Sequence, residues 1–521
     1  MVSYVYNSKE GKIRMFRSKK HLYVMTSSLP FTYGGRTSSL LQRCRMLTEN
    51  KTGVESVTLL TSNYNPDYNY IYQDYRNKGT VNNKISFLNL YDWLKWSSKK
   101  GIKNNYLNYL KKEFGSDLFE FKKKETSHVT FYYENGVPKY YLSYNKNKKR
   151  MGHIDVFLNH HNQSAKRLYM NKDGNIHKIR YFRDEYEKNV VRDVFLDQEM
   201  NAYLTREYSY KGETLKIDRN ILFRKNGEAK VFKNDSDLIN YWFENIFKNG
   251  DKVINDVRVL DKPLLQVKKK IKRIFQVHGP HISVPNDVTS ETKKSFKYLL
   301  ANIESNNDII VTLTEAQKEN MIAKYPRLKN KIVVIPHCFE KDKVKIQYNK
   351  VIPKKICVVS RLVPLKRIDH TLKAFSEFLK ERPEYKLDIY GTGEEEEPLK
   401  ELVAELEISS NVNFKGFTDK PHEVFQTSEF FIMTSRLEGF GMTVLESVIN
   451  GCPVISYDIT WGPSEIISRN NGILVENNNI QGLKNAMLML ADNPLDRKKV
   501  AQLENKYFKK SFLESWIKLV N

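Results

Sequence analysis

The chain has 521 residues, a formal charge of +25, 40% hydrophobic residues, 31 tyrosines and 27 phenylalanines. Such a length exceeds one ordinary domain, and the apolar content excludes a disordered chain, so two or three cored domains are expected. A positive surplus of this size favours a polyanionic contact, although lysines spread along the whole chain also reflect a lysine- and asparagine-rich vocabulary. Cys44, Cys338, Cys357 and Cys452 are scattered without a paired spacing, which argues against a disulfide framework and a zinc site. The N-terminus is basic but lacks an apolar run with a small-residue cleavage site, and no stretch nears the roughly 18 apolar residues of a membrane span. A cytoplasmic protein is expected, with a peripheral hold on the inner leaflet through lysines left open.

In chain order, a first strand is expected over His21–Ser28, then the loop LPFTYGG, a helix through Leu40, Leu41, Cys44 and Leu47, and a strand over Ser56–Thr61. Strand, glycine loop, helix and strand begin a doubly wound α/β domain. From about 75 to 265 the pattern changes to alternating Tyr, Phe, Val and Ile runs. They are broken by Asn135-Gly136, Asp173-Gly174, Lys211-Gly212 and Asn226-Gly227, pairs in which both residues accept positive φ. This reads as an antiparallel β insertion within the first α/β domain. Strands IKRIFQV (271–277), DIIVTL (308–313) and KIVVIP (331–336) resume that domain. A second α/β domain follows with KKICVVS, YKLDIYG, NVNFKG, FFIMTS and CPVISYD, short continuous apolar runs of the kind a parallel sheet covered on both faces requires. The tail from Asp492 reads as amphipathic helix. The expected plan is 1–75 and 266–345 for a first Rossmann-like domain, 76–265 for the insertion, 346–500 for a second Rossmann-like domain and 501–521 for a C-terminal helix. The two α/β domains are expected to face a cleft.

Ligands of such sheets sit at the C-terminal ends of the strands, and the chemistry-bearing motifs fall there. In Glu438-Gly439-Phe440-Gly441-Met442-Thr443-Val444-Leu445-Glu446 a strand gives way to a helix near Gly441. The glycines turn backbone N–H groups toward an anion, and the helix start adds positive partial charge, which suits a diphosphate. Glu438 stands in the loop at the reaction centre, and Glu446, one turn into the helix, can take paired ribose hydroxyls. In Ser360-Arg361-Leu362-Val363-Pro364-Leu365-Lys366-Arg367, Arg361 and Lys366 can converge on a leaving diphosphate as fork and point charge. Gly34, Gly35, Arg36 and Thr37 allow close backbone approach from the first domain. His278 and His281 stand three apart without a third ligand nearby, so a metal is not expected, and a structural role suits either one. At a strand end, His278 could instead orient a sugar through its ring or backbone carbonyl. Asp235-Ser236-Asp237 has the form of a metal-binding tripeptide but precedes a helical run and is read as capping. His160-His161 is read as a loop feature.

SRLVPLKR, EGFGMTVLE and YDITWGPSEII together resemble retaining GT-B glycosyltransferases. With GGRTSS, the spaced histidines, LTEAQ (313–317) and SRLVPLKRID, the likeness narrows to bacterial wall teichoic acid α-glycosyltransferases of the TarM/TagE type. The resemblance implies a UDP-glucose or UDP-GlcNAc donor as co-substrate, retention, no metal or other cofactor, and a poly(glycerol phosphate) or poly(ribitol phosphate) acceptor. By matched position, Gly34, Gly35, Arg36 and Thr37 would line the donor site. Arg361 and Lys366, beside Ser360, would bind the diphosphate, while Phe417 and Thr418 after Gly416 would contact uracil. Glu438 and the amides of Gly439, Phe440, Gly441, Met442 and Thr443 would hold sugar and phosphates, Glu446 the ribose, and His278 the sugar. A homo-oligomer, trimeric by resemblance, would form through the β insertion. The pair His278-Gly279-Pro280-His281 departs from the family in its intervening residues and lacks a further adjacent histidine. O-glycosylation of serine-rich adhesins, or a catalytically silent glycan-binding subunit, are the alternatives. Retention of all four charged residues at the site speaks against the latter, and no recognised nucleic-acid module is present.

Overall fold

The computed structural model describes residues 4–7, 12–15, 20–49, 52–96, 119–121, 129–134, 136–144, 151–157, 164–183, 189–305, 307–340 and 346–521. His160-His161 lie outside the described residues. The chain forms two compact units, residues 1–33 with 54–272, and residues 34–53 with 273–521.

In the first unit, strand His21–Thr26 pairs in parallel with Ser56–Thr61 on one side and Lys252–Asn255 on the other, and Ile85–Asn89 extends the sheet beyond Ser56–Thr61. Every side chain of His21–Thr26 is buried, which accounts for its unbroken apolar reading. Between Ile85–Asn89 and Lys252–Asn255 the chain makes an antiparallel sheet of ten described strands, Phe119–Phe121 to Ala229–Phe232, in sequence order. The strands Ile85–Asn89 and Lys252–Asn255, expected inside the insertion, therefore belong to the parallel sheet. One sheet face packs Tyr140, Leu142, Ile154, Val156, Leu168 and Ile179 together. On adjacent strands Asp155, Arg167, Arg180, Asp193 and Arg206 stand in register as one cross-strand row. Arg167 forks onto Asp155 at 2.5 and 2.8 Å, and Arg180 onto Asp193 at 2.7 and 2.9 Å. Burial works to raise the Asp193 carboxyl, but the Arg180 fork, Lys178 and the Tyr208 hydroxyl together hold it below its ordinary range.

The hairpins correct the expected turn chemistry. Gly174 and Gly227 take φ of 80° and 85°, while the preceding Asp173 and Asn226 do not adopt positive φ. Gly174 N donates to Asn171 O and Asn171 N to Asn175 O, the pattern of a type I turn closed by a glycine bulge. The turn expected at Lys211-Gly212 is centred one residue later, since Lys211 pairs with Thr214 across Gly212 and Glu213. Helix Asp235–Ile246 is capped by Asn234, which accepts from Asp237 N at 3.0 Å. Asp235 is instead ion-paired with Arg206 at 2.6 Å, so the Asp-Ser-Asp tripeptide is accounted for within the fold.

The second unit holds the parallel strands Ile332–Val334, Asp308–Thr312 and Lys272–Gln276 in that order. It also holds a six-stranded parallel sheet ordered Val412–Gly416, Lys386–Tyr390, Lys355–Val359, Phe430–Met433, Val454–Asp458, Gly472–Glu476. Apolar clusters cover both faces, one built on Leu372, Phe375 and Met487, the other on Val444, Leu445 and Val448. The expected boundary near 346 is not where compactness divides the chain, because side chains join 283–320 to 436–465. Asn286 donates to Arg436 O at 3.0 Å and accepts from Thr460 N at 3.0 Å, and Trp461 Nε1 donates to Asn320 at 2.8 Å. Glu465 accepts from the amides of Glu315 and Ala316 at 3.2 and 2.9 Å, capping helix Glu315–Lys324. The tail breaks into helix Arg497–Val500, a 3-10 turn Asn505–Tyr507 and helix Lys509–Val520, whose Trp516 lies 4.6 Å beneath the Arg43 guanidinium of helix Gly35–Glu49.

Asp193 is nearly fully buried beneath the partly exposed Arg180, so Asp193→Ala should cost about 1–3 kcal/mol by removing the acceptor of both guanidinium hydrogen bonds. Denaturant unfolding measures this, and a change below ~1 kcal/mol would show that the charge row carries no stability.

Candidate active site

Strand ends build the site. Ser360 N donates to Tyr390 O, Leu362 N to Thr392 O, and Gly391 N to Gly416 O, so three successive loops share backbone hydrogen bonds. A Cβ on Gly391 would lie 1.7 Å from Ser360 O, and one on Gly393 would lie 1.9 Å from Leu362 O. Only glycine allows that approach. Sequence reasoning did not single out Gly391 and Gly393, although Gly-Thr-Gly directly after a strand was the available signal.

The turn Pro364–Lys366 ends at Arg367, whose φ is 46°. It is bound to the exit of strand Phe430–Met433. Thr434 Oγ1 donates to Lys366 O at 3.0 Å and Arg367 O at 2.7 Å, and Arg436 N donates to Leu365 O at 2.8 Å. This brings Lys366 Nζ within 2.5 Å of Glu438 Oε1, with the two side chains only 15% and 17% exposed. Arg361 stands exposed at the head of the same loop. The structure thus joins Lys366 to Glu438, two residues that lie 72 positions apart in sequence.

Helix Met442–Ile449 starts from Gly441, which has φ of 90°. A Cβ on Gly439 would fall 2.0 Å from His278 O, so glycine is required there by the His278 carbonyl. The His278 ring stacks on His337 with centroids 5.8 Å apart, and His337 meets the Phe440 ring edge-on at 5.4 Å. Phe440 is buried, and its carbonyl presses on Gly462, so its side chain is core and only its backbone can line a ligand. A Cβ on Gly35 would touch Met442 at 4.0 Å, which sets the starts of helices Gly35–Glu49 and Met442–Ile449 side by side. Two adjoining helix N-termini concentrate positive partial charge for an anion. Gly34, Gly35 and Arg36 are exposed at this point, whereas Thr37 is buried.

Thr443 is half-buried, its hydroxyl 3.9 Å from the Met433 sulfur. Burial pushes the Glu446 carboxyl up to about 7. The residue is only partly exposed, and no described residue donates to its carboxyl. Gly416 takes φ of 68° and is followed by Phe417, the most exposed large apolar side chain described, at 74%. Thr418 Oγ1 accepts from Lys420 N at 3.1 Å. Ser360 Oγ donates to Arg361 O at 3.2 Å. His281 is separate from this set. It is fully buried, stacked on Trp461 at 5.3 Å, and burial first, then Lys324 and Lys293, bring it down to about 4. It is a neutral structural imidazole. Among the described residues no group of three or more His, Cys, Asp or Glu is placed to hold a metal ion. Sequence reasoning also missed His337, Arg367 and Asn286, whose roles depend on partners distant in sequence.

The family Glycosyl transferases group 1 matches residues 340–507. Over 96% of its length the chain is 28% identical to the poly(glycerol-phosphate) alpha-glucosyltransferase of Bacillus subtilis, covering 74% of that protein. It is 27% identical over 96% of its length to the poly(ribitol-phosphate) alpha-N-acetylglucosaminyltransferase of Staphylococcus aureus, covering all of it. A mutant of S. aureus TarM in complex with Fondaparinux, alpha-GlcNAc-glycerol and UDP superposes with a TM-score of 0.82 and 24% identity, over 96% of this chain and 100% of that one.

Gly439→Ala should destabilise the second unit by about 1–3 kcal/mol through its clash with the His278 carbonyl. Gly34→Ala, with nothing within 4 Å of the added carbon, should leave unfolding nearly unchanged. Thermal unfolding of the two variants compares them, and equal midpoints would remove the carbonyl contact as the reason for glycine at 439.

Proposed function

We propose that this chain, a glycosyltransferase of the GT-B fold, transfers glucose or N-acetylglucosamine from a UDP-sugar to hydroxyls of a poly(glycerol phosphate) or poly(ribitol phosphate) chain with retention of configuration. The observation that carries this reading is the largely buried Lys366–Glu438 pair at the strand ends, beside the start of helix Met442–Ile449. Likeness to both poly(polyol-phosphate) enzymes along nearly the whole chain supports the acceptor, as does the charge of +25.

In this reading 346–500 is the nucleotide-sugar-binding domain. Phe417 offers its exposed ring to uracil with Gly416 and Thr418 beneath, and Glu446 accepts from the ribose hydroxyls. Arg361 and Lys366, with Ser360 and the amides of Gly439 to Thr443, hold the diphosphate, and Gly34, Gly35, Arg36 and Thr37 close the donor site. Glu438 accepts from the sugar hydroxyls, and the His278 carbonyl and ring orient the anomeric centre. The acceptor oxygen bonds to the anomeric carbon as the carbon–oxygen bond to the diphosphate breaks on the same face. The acceptor proton passes to the departing phosphate oxygen. Fixed cations and helix N-termini stabilise the charge released there, so the protein contributes positioning and electrostatics. No metal takes part in this scheme. The protein works in the cytoplasm as a homo-oligomer joined through its antiparallel sheet.

Radiolabelled UDP-glucose and UDP-GlcNAc, offered with purified teichoic acids and with a serine-rich peptide, test the reading. Label in the polymer, with an α-linked product by proton NMR, is expected, and label in the peptide alone would overturn the acceptor. Glu438→Ala should lower transfer by about 100-fold or more with the fold intact by circular dichroism, and near wild-type transfer removes that residue from the mechanism.

Because burial holds the Glu446 carboxyl at about 7, its ionised fraction shrinks as pH falls below that value. Ribose hydroxyls donate better to the ionised form, so donor KM should climb on that acid side, and Glu446→Gln should flatten the dependence. A wild-type KM that stays level through this range would detach Glu446 from the ribose.

A further inference from the structure

Arg367 follows Lys366 directly, and its side chain takes no part in the scheme above. Its backbone occupies the left-handed region at φ 46°, where glycine would sit without strain and a larger residue costs about 1 kcal/mol. The turn geometry alone therefore gives no reason for an arginine. The guanidinium does. Nε donates to Thr434 O at 3.1 Å, and Nη2 donates to Ser435 O at 3.0 Å and to Asn477 Oδ1 at 2.7 Å. Nη1 donates to Asn478 Oδ1, and the plane lies 5.0 Å over the Tyr457 ring. The Tyr457 hydroxyl is held in turn by His370 Nδ1 at 2.9 Å.

These partners come from four neighbouring strand ends. Arg367 belongs to the turn after Lys355–Val359, Thr434 and Ser435 follow Phe430–Met433, Tyr457 lies on Val454–Asp458, and Asn477 and Asn478 follow Gly472–Glu476. Four of the five guanidinium N–H groups are committed to protein acceptors, which sets Arg367 apart from the exposed Arg361 as a phosphate ligand. Its carbonyl and that of Lys366 accept from Thr434 Oγ1, so the Lys366 backbone is held on both sides by the strand exit that carries Glu438.

We infer that Arg367 is a positioning residue for transfer: its guanidinium fixes the distance between the turn bearing Lys366 and the loop bearing Glu438. This rests on the roles proposed above for those two residues. Without the guanidinium the turn persists, but Lys366 and Glu438 no longer hold the register in which diphosphate and sugar are bound together.

The test uses the full-length chain with Arg367→Gly, Arg367→Lys and Thr434→Val, measuring kcat and donor KM alongside thermal unfolding. Glycine relieves the left-handed backbone but leaves the Thr434 and Ser435 carbonyls without their donor. Arg367→Gly should therefore unfold at a lower temperature yet stay folded under assay conditions, while kcat falls by about 10- to 100-fold, more than the folded fraction accounts for. Guanidinium ion added to the assay should restore part of that loss, and Arg367→Lys should fall between wild type and Arg367→Gly. Thr434→Val, which removes the hydroxyl bonds to both carbonyls, should lower kcat in the same direction. Wild-type kcat in Arg367→Gly overturns the inference. So does a loss that follows the folded fraction and is not relieved by guanidinium, since that assigns Arg367 to stability alone. Lys366→Ala, assayed in parallel, separates the levels. Full activity there removes the parent reading, whereas inactivity there beside a wild-type Arg367→Gly removes only the positioning role.

Discussion

The turn Pro364–Arg367 and the strand exit Thr434–Arg436 exchange hydrogen bonds in both directions, through backbone, threonine hydroxyl and guanidinium. The rest of the candidate site follows from this junction. Parallel strands place their loops at one edge, but nothing in a parallel ladder fixes the height of one loop against the next. Here the two loops that carry Lys366 and Glu438 are fixed by direct contact, and the ion pair closes at 2.5 Å as a result. A largely buried pair of this kind gains little net stability, because desolvation opposes the Coulomb attraction. Its value lies in alignment, and the alignment is supplied by neutral donors and acceptors around it.

Glycine works here by close approach as well as by turning. Gly391 admits the Ser360 carbonyl, Gly393 that of Leu362, Gly439 that of His278, and Gly462 that of Phe440. Each contact brings a loop backbone against its neighbour without a side chain between them. The result is a continuous layer of peptide groups, with helix starts at Gly35 and Met442 adjoining it. Such a layer presents fixed dipoles to an anion, and it needs no rearrangement when charge develops.

Much of this architecture was legible in the sequence because the relevant signals are local. Continuous apolar runs such as KKICVVS and FFIMTS correspond to strands Lys355–Val359 and Phe430–Met433, shortened by one or two residues where the chain leaves the sheet. The hairpin glycines were legible too, but not the turn class, since only the glycine of each pair needs positive φ when a bulge closes the loop. Phe440 illustrates the opposite limit. Its amide was expected at the phosphates, but that reading said nothing of the ring, which is taken into the core against His337. Arg367 could not be read at all, because a lone arginine after a lysine has the look of a solvated basic loop. Its acceptors lie 67 to 111 positions away. Partners at that separation are set by strand order, which local patterns do not encode.

Glu446 shows how binding and stability are set against each other at this site. Its carboxyl ionises at about 7 in the fold against 4.5 ordinarily, with burial as the cause. A carboxyl raised in this way opposes folding wherever the unfolded chain would ionise it. The penalty is absent below the ordinary value, grows as pH rises, and is complete above the folded value, at about 3 kcal/mol. A glutamine there would escape it. On the proposed assignment, hydroxyls donated by a bound ribose would favour the ionised form and offset the same term, which would link occupancy of the site to stability of the second unit through one side chain. The Lys366–Glu438 pair does not carry this burden, because each charge already has its counter-charge within the protein. On the proposed assignment, the fold aligns the reacting end of the site and leaves the nucleoside end for the donor to complete.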